Sequence, residues 1–428
     1  MRLRVPGDKS LSQRALILAG LASGTSRVRG LLPSADPAST ATALGALGVR
    51  VPALPTDGRE VVIEGRGLRG LEEPEGALDL GNSGTGARLL LGVVAGQPLV
   101  AVLDGDASLR TRPMGRVTRP LELMGAEFSS LGEADRLPLQ VRGGALQSLD
   151  YDLPVASAQV KSALLLAGLV AGVPVLLTEP GASRDHTERL LRQVGVGVLT
   201  HVRGPGVRVE LRDPPDRIEP LDFTVPGDLS SAAFLLLAAI LGVGPGPVSI
   251  EGVGLNPTRT GVLSLLSRMG ARLTIDEASD GAGGVGEPTG TVTAEPSHLS
   301  AIEVGAVDVV SAIDEIPAVV VAAARAEGVT RVSGAGELRV KETDRIRALV
   351  HNLRAVGVDA EEREDGLEVE GSDRPLSGEV DVFDDHRIAM VFGVLAAQPG
   401  NDIRIRGRGA VEVSFPGFWA TLEALGAR

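Results

Sequence analysis

The chain has 428 residues, a formal net charge of −13 and no cysteine. Its length supports two or three domains with substantial cores, and its acidic balance excludes a dedicated nucleic-acid binder, which would show a basic surface. The absence of cysteine excludes thiol nucleophiles, Cys-ligated zinc, iron–sulfur clusters and disulfides together.

The first informative stretch is Val5-Pro6-Gly7-Asp8-Lys9-Ser10-Leu11-Ser12-Gln13-Arg14, which runs into the apolar Ala15-Leu16-Ile17-Leu18. A Pro-Gly turn followed by Asp or Ser reads as a tight turn and a capped helix start. On a helix beginning near Lys9, Ser10 and Arg14 share a face at the positive end of the macrodipole. Backbone N–H groups, a hydroxyl and two cations there make an anion site; a capped surface helix with incidental charges is the equal alternative. The form recurs at Val225-Pro226-Gly227-Asp228-Leu229-Ser230-Ser231, without the cations.

Between the two echoes, Asp79-Leu80-Gly81-Asn82-Ser83-Gly84-Thr85-Gly86-Ala87-Arg88 is a Gly-rich turn before an apolar helix. It is neither a Walker motif nor a dinucleotide fingerprint. Arg110 and Arg112 alternate ahead of Pro113-Met114, and for Arg110 a solvated loop is expected. Ser157-Ala158-Gln159-Val160-Lys161-Ser162 opens another apolar helix. In Ser183-Arg184-Asp185-His186-Thr187, ahead of Glu188, the strongest reading is a capping box. Beyond the second echo, Gly281–Gly290 reads as a loop of no chemical interest. Asp314 and Glu315 lie in an otherwise apolar run, where burial would raise a carboxylate toward a useful base; an N-cap for a helix over 318–326 is as good a reading. Lys341 and Arg345 in Val340-Lys341-Glu342-Thr343-Asp344-Arg345 would share a helical face. Phe383-Asp384-Asp385-His386-Arg387 again sets acid and cation at a helix start.

A helix-like stretch ending in Gly-Ala or Gly-Val recurs six times, at Gly48, Gly125, Gly195, Gly270, Gly357 and Gly426. Glycine past an apolar helix is a C-cap, and an alternating strand usually follows. Together with an upstream helix and strand, each unit reads as βαβαββ in about 70 residues, long for a solenoid repeat. The predicted fold is α/β, with two similar domains of three units each and a cleft between them for a ligand. The expected boundaries are 9–226 for the first domain, and 1–8 with 227–428 for the second. The sixth unit runs out of chain before its closing strand, so residues 1–7 are expected to supply it.

Of the 42 Lys plus Arg residues only Lys9, Lys161 and Lys341 are lysine. Where arginine serves as the generic cation, the remaining lysines mark places that need a compact ammonium able to shift its pKa and transfer protons. No apolar run reaches the roughly 18 residues of a membrane span, and no signal-peptide pattern opens the chain. A cytoplasmic protein is expected.

The motifs Pro-Gly-Asp-Lys-Ser-x-Ser-x-Arg, Gly-Asn-Ser-Gly-Thr-x-x-Arg, Arg-Pro-Met, Ser-Ala-Gln-x-Lys-Ser, Val-Lys-Glu-Thr-Asp-Arg and Asp-His-Arg, in this order over the whole chain, resemble the EPSP synthase family (3-phosphoshikimate 1-carboxyvinyltransferases). That family's fold is two domains of three βαβαββ units. The resemblance implies transfer of the enolpyruvyl group of phosphoenolpyruvate to the 5-hydroxyl of shikimate 3-phosphate in the shikimate pathway. The route is addition–elimination through a tetrahedral intermediate, without metal or organic cofactor. It implies shikimate 3-phosphate ligands at Lys9, Ser10, Arg14, Ser157, Ala158, Gln159, Ser183, Arg184, Asp314 and Lys341. Phosphoenolpyruvate ligands would be Lys9, Gly84, Arg112, Gln159, Arg345 and Arg387. Asp314 would be the base for the 5-hydroxyl, with Glu342 and Lys9 handling the proton at the methylene carbon. The chain departs from the family at Val413, where many members have Lys, and at Glu337, where some have Asn; it is similar to the family's second class. A monomer that closes on its ligands is expected. The rival readings are the sister transferase acting on UDP-N-acetylglucosamine, whose usual loop cysteine is missing here, and an inactive anion-binding repeat protein.

Overall fold

The computed structural model describes residues 1–204, 206–278 and 286–426. It contains two compact units. One is Gly7–Val225, joined by the described Gly286 and Glu287. The other comprises Met1–Pro6 and the described residues of Pro226–Asp280 and Pro288–Arg428.

Helices of the Gly7–Val225 unit are α1 (Lys9–Leu21), α2 (Ala35–Ala46), α3 (Gly84–Ala95), α4 (Ala107–Thr111), α5 (Gly115–Leu123), α6 (Ala158–Ala171) and α7 (His186–Gln193). Its strands form three sheets of one plan. Leu78–Asp79 lies parallel to Val100–Asp104, which continues antiparallel into Leu139–Arg142 and Glu127–Ser130. Leu149–Asp152, Val175–Glu179, Gly206–Leu211 and Val198–Arg203 repeat that order. In each the parallel pair needs a crossover helix, α3 or α6. In the remaining sheet Thr25–Arg29 pairs antiparallel with Val61–Glu64 and parallel with Asp222–Thr224, so the end of the unit completes the sheet its beginning opens.

Beyond their first two turns α1, α3 and α6 are apolar on every side and almost wholly buried. A helix of that kind must be enclosed, and polar chemistry is confined to its first two turns. Gly92 sets how near α3 and α6 approach: a Cβ there would sit 2.0 Å from the Ala163 carbonyl oxygen.

The other unit repeats the plan with α8 (Leu229–Ile240), α9 (Gly261–Arg268), α10 (Ala306–Ala312), α11 (Ile316–Ala323), α12 (Arg345–Ala355), α13 (His386–Ala397) and α14 (Phe418–Ala424). Here α8, α11 and α13 are the enclosed helices. One sheet runs Arg2–Leu3, Val248–Gly254, Thr289–Glu295, Arg272–Glu277. A second runs Glu303–Val304, Val329–Val332, Gly366–Glu370, Asp359–Arg363, and Ser377–Asp381 pairs parallel with Asp402–Arg406.

The six glycines that punctuate the sequence repeat all have positive φ, between 83° and 110°, as left-handed helix C-caps require. The N-terminal strand enters the second unit but at a different place from the one expected. Arg2–Leu3 adds to the fourth repeat's sheet, parallel to Val248–Gly254, and does not close the sixth. The turns dictate this. Asp228 N–H donates to the Pro6 carbonyl at 2.9 Å and Gly227 N–H to that of Gly252 at 2.8 Å, so residues 1–6 are delivered to that edge. Among the described residues no helix is long and apolar enough to cross a membrane.

Candidate active site

In the Gly7–Val225 unit the polar residues gather at the first turns of the enclosed helices. Asp8 caps α1 by accepting from Leu11 N–H at 2.8 Å, which leaves Lys9 to begin the helix. The Lys9 ammonium lies 2.9 Å from Asp36 Oδ2, and both side chains are largely buried. One turn on, Arg14 is buried; Nη1 donates to the Ser10 carbonyl at 3.1 Å, Nε to Thr187 Oγ1 at 2.8 Å and Nη2 to Ser162 Oγ at 3.0 Å. Burial, only partly offset by Glu188, and repulsion from Arg184 bring its pKa down to about 10. It remains a cation at neutral pH, and burial without a carboxylate at hydrogen-bond distance favours an anionic ligand beside it.

Ser83 caps α3 by accepting from Gly86 N–H at 3.0 Å. Gln13 of α1 also donates to Ser83 Oγ, tying the two helix starts together. A Cβ on Gly84 would lie 3.1 Å from one Nη of both Arg88 and Arg112, so two guanidiniums flank a helix N-terminus, a setting made for an anion. Arg112 donates to Asn82 Oδ1. Gln159 is fixed between the pair of motifs: Arg88 Nη1 donates to its Oε1 at 2.8 Å and its Nε2 donates to Thr85 Oγ1 at 2.9 Å. Gly84→Ala is expected to leave stability nearly unchanged, because flexible side-chain ends can yield. It should weaken oxyanion binding several-fold, by displacing those ends; titration with inorganic phosphate beside a thermal melt separates the two effects.

Serine 157 caps α6, accepting from Val160 N–H at 3.5 Å, and Ala158 begins the helix. Behind them Glu179 is fully buried and collects Ser157 N–H at 3.1 Å, Ser183 Oγ–H at 2.6 Å and the Lys161 ammonium at 2.8 Å. Lys161 also sits 2.7 Å from Glu188. This corrects two readings. Lys161 is a buried counter-ion rather than a proton carrier: burial pulls its pKa down, but Glu188 and Glu179 outweigh that and hold it raised. The stretch at Ser183 forms no capping box: the N-cap of α7 is Asp185, which makes no side-chain cap hydrogen bond and pairs with Arg189 at 2.9 Å, while the Ser183 hydrogen goes to Glu179. Arg110 is solvated as expected but stands on the short helix α4 rather than in a loop, pairing with Asp104 at 2.5 Å.

In the second unit the chemistry centres on Asp314, between α10 and α11. Three cations face its carboxylate: Arg345 Nη1 at 3.5 Å, Arg387 Nη2 at 3.6 Å and Lys341 Nζ at 3.8 Å. Arg345 is buried and also holds Glu342 Oε2 at 2.5 Å and Asp385 Oδ2 at 2.7 Å. Desolvation opposes its charge, but Asp385, Glu342 and Asp314 outweigh it and keep the guanidinium protonated. Arg387 Nε is buried without a hydrogen-bond partner. Within the acidic pair Glu315 is the deeply buried member, accepting from Ser230 Oγ with Arg259 at 3.9 Å, while Asp314 keeps 17% of its side chain exposed.

Lys341 and Arg345 do not share a helical face. Asp344 accepts from Arg347 N–H at 3.1 Å and starts α12 at Arg345, so Lys341 arrives on extended backbone from the 3-10 turn Gly336–Val340. They meet at Asp314 through tertiary packing instead. Sequence reasoning passed over Asp36 and Glu179, and quoted Arg88 and Asp385 within motifs without giving them a role. Asp36 and Asp385 each stand at a helix start, which was their visible signal; Glu179 ends an apolar strand and gave none. It also dismissed Glu287, which lies 2.8 Å from His186 with both side chains buried. Residues 281–285 of that loop are outside the described residues.

Repeated strand–helix–strand units with polar first turns on enclosed helices define the enolpyruvyl transferase fold. The enolpyruvyl transferase NikO from Streptomyces tendae shares it, with a TM-score of 0.75 at 21% identity over 100% of this chain and 95% of that one. EPSP synthase from Acinetobacter baumannii superposes with a TM-score of 0.85 at 41% identity, covering 100% of this chain and 96% of its own. The family model for EPSP synthase (3-phosphoshikimate 1-carboxyvinyltransferase) matches residues 1–422. The 3-phosphoshikimate 1-carboxyvinyltransferase of Thermus thermophilus is 49% identical over 427 residues, 99% of this chain and 96% of the relative. That of Geobacillus kaustophilus is 45% identical over 426 residues, 99% and 97% respectively. The chain belongs to the EPSP synthase family.

Proposed function

We propose that the chain transfers the enolpyruvyl group of phosphoenolpyruvate to the 5-hydroxyl of shikimate 3-phosphate, in aromatic amino acid biosynthesis, and that both constellations serve this one reaction. Lys9, Ser10, Arg14, Ser157, Ala158, Gln159, Arg184 and Lys341 bind shikimate 3-phosphate. Ser183, whose hydrogen is taken by Glu179, contributes only as an acceptor or through that carboxylate. Gly84 and Arg112, with Arg345 and Arg387, receive the phosphate and carboxylate of phosphoenolpyruvate, for which guanidinium forks are the matching donors. Arg88 and Asp385 orient Gln159 and Arg345.

Asp314 takes the proton of the 5-hydroxyl as its oxygen attacks C2 of phosphoenolpyruvate, while Glu342 or Lys9 delivers a proton to C3. The tetrahedral adduct then loses that C3 proton and its phosphate; the C–O bond to phosphate breaks and the carbon–carbon double bond returns. Proton balance is kept within these residues, and the products are the enolpyruvyl ether and inorganic phosphate.

The observation that carries this reading is one carboxylate, Asp314, held within 3.8 Å of three cations, one of them fixed by a second, buried carboxylate. It is tested by phosphate release from phosphoenolpyruvate with shikimate 3-phosphate, run beside UDP-N-acetylglucosamine. Release with shikimate 3-phosphate alone is expected. Release with the nucleotide sugar would assign the sister reaction, and binding without release would mean a non-catalytic protein.

A further inference from the structure

Arg14 is unusual among the buried cations described above in what neutralises it. Lys161 has Glu179 and Glu188, and Arg345 has Asp385 and Glu342. Arg14, 4% exposed, donates only to two hydroxyls and a carbonyl. The hydroxyls form an ordered chain. Ser162 Oγ–H donates to the Ala158 carbonyl at 2.5 Å, so the 2.6 Å contact between the two hydroxyls is Thr187 donating to Ser162. Both oxygens then have lone pairs for Arg14, Thr187 for Nε and Ser162 for Nη2.

A guanidinium carries five N–H donors arranged as two bidentate edges. The Nε/Nη2 edge is filled by these hydroxyls and one Nη1 hydrogen by Ser10. Among the described residues that leaves one hydrogen on each terminal nitrogen, a pair able to meet the oxygens of a carboxylate or phosphate end-on. We propose that Ser162 and Thr187 are positioning residues for Arg14, holding one edge of its guanidinium without neutralising it and so aiming the other at an oxyanion of shikimate 3-phosphate. Acidic partners in their place would fix the geometry equally well but cancel the charge the ligand needs. The Arg14 pKa is lowered by burial, which Glu188 and Glu287 offset only in part, so no carboxylate takes the place of the two hydroxyls at the guanidinium edge. Ser162 also ties this grip to the Ala158 carbonyl, in the first turn that carries Ser157 and Gln159.

The inference rests on the reading of Arg14 as a shikimate 3-phosphate ligand, and its test separates the two. Calorimetric titration of the intact chain with shikimate 3-phosphate, shikimate and inorganic phosphate is compared for wild type, Thr187→Val, Ser162→Ala, Thr187→Ser and Arg14→Met. Thr187→Val and Ser162→Ala are each expected to weaken shikimate 3-phosphate binding about tenfold, the equivalent of one hydrogen bond to a charged group. KM for that substrate should rise with them and kcat change little. Thr187→Ser restores the hydroxyl and is expected to bind as wild type, which a loss of packing alone would not produce. Whether shikimate or inorganic phosphate loses affinity in parallel shows which oxyanion Arg14 meets. Unchanged affinity in Thr187→Val and Ser162→Ala, with binding lost in Arg14→Met, overturns the positioning role; unchanged affinity in Arg14→Met overturns the reading beneath it.

Discussion

Asp314→Asn is expected to lower kcat by about 10²–10⁴-fold while the protein melts close to the wild-type temperature. Asparagine keeps the size and one acceptor oxygen but cannot take a proton. Asp314 is only partly buried, and replacing it removes one carboxylate facing Lys341, Arg345 and Arg387 without opening a cavity. Those cations then lose one of their counter-charges, so anionic substrate should bind no more weakly; KM for phosphoenolpyruvate is expected to stay level or fall. A drop in kcat with constant or lower KM identifies an interaction made in the transition state. Turnover within threefold of wild type would remove Asp314 from the base role and pass that role to Glu342, the other carboxylate on Arg345 with partial exposure.

The largest effect on stability is expected from Lys161→Met, a loss of about 3–5 kcal/mol. Methionine fills the space, yet it leaves Glu179 and Glu188 buried without their ammonium. Glu179 also holds Ser157 and Ser183, so the substitution should disturb the start of α6 and weaken shikimate 3-phosphate binding as well. The pH dependence has a definite sign. Burial lowers the Lys161 pKa, Glu188 and Glu179 more than offset this, and the net result lies above the ordinary lysine value of 10.5. The stability that the charged lysine contributes is therefore complete below pH 10.5 and is lost only as pH climbs through the higher folded value. Denaturant unfolding of wild type and variant should differ by a constant amount from pH 7 to 9, and the gap should narrow only in stronger base. A gap that closed near neutral pH would mean that Lys161 is not held charged.

Where the two scales of information meet is clearest at particular residues. Gly48, Gly125, Gly195, Gly270, Gly357 and Gly426 announced the sixfold repeat because a left-handed C-cap is a local requirement that few other residues meet. Lys9, Ser10 and Arg14 were legible as a group because three positions of one helix fix their mutual geometry. The same local reasoning failed at Lys341 and Arg345, where a cap at Asp344 broke the helix the spacing implied. Lys161 looked like a catalytic lysine from its neighbours in sequence, and only strand and helix packing brought Glu179 and Glu188 around it.

By itself, then, the sequence determined what depends on neighbours along the chain: the repeat, the helix starts, the residue types able to hold phosphate and carboxylate, and through its motifs the family. Tertiary structure decided which charges meet. It set Asp36 on Lys9, Asp385 on Arg345, three cations on Asp314 and two hydroxyls on Arg14. It also sent Arg2–Leu3 to the edge of Val248–Gly254. These pairings join residues tens to hundreds of positions apart, where spacing along the chain carries no distance information and the packing of enclosed helices and the routing of turns supply it.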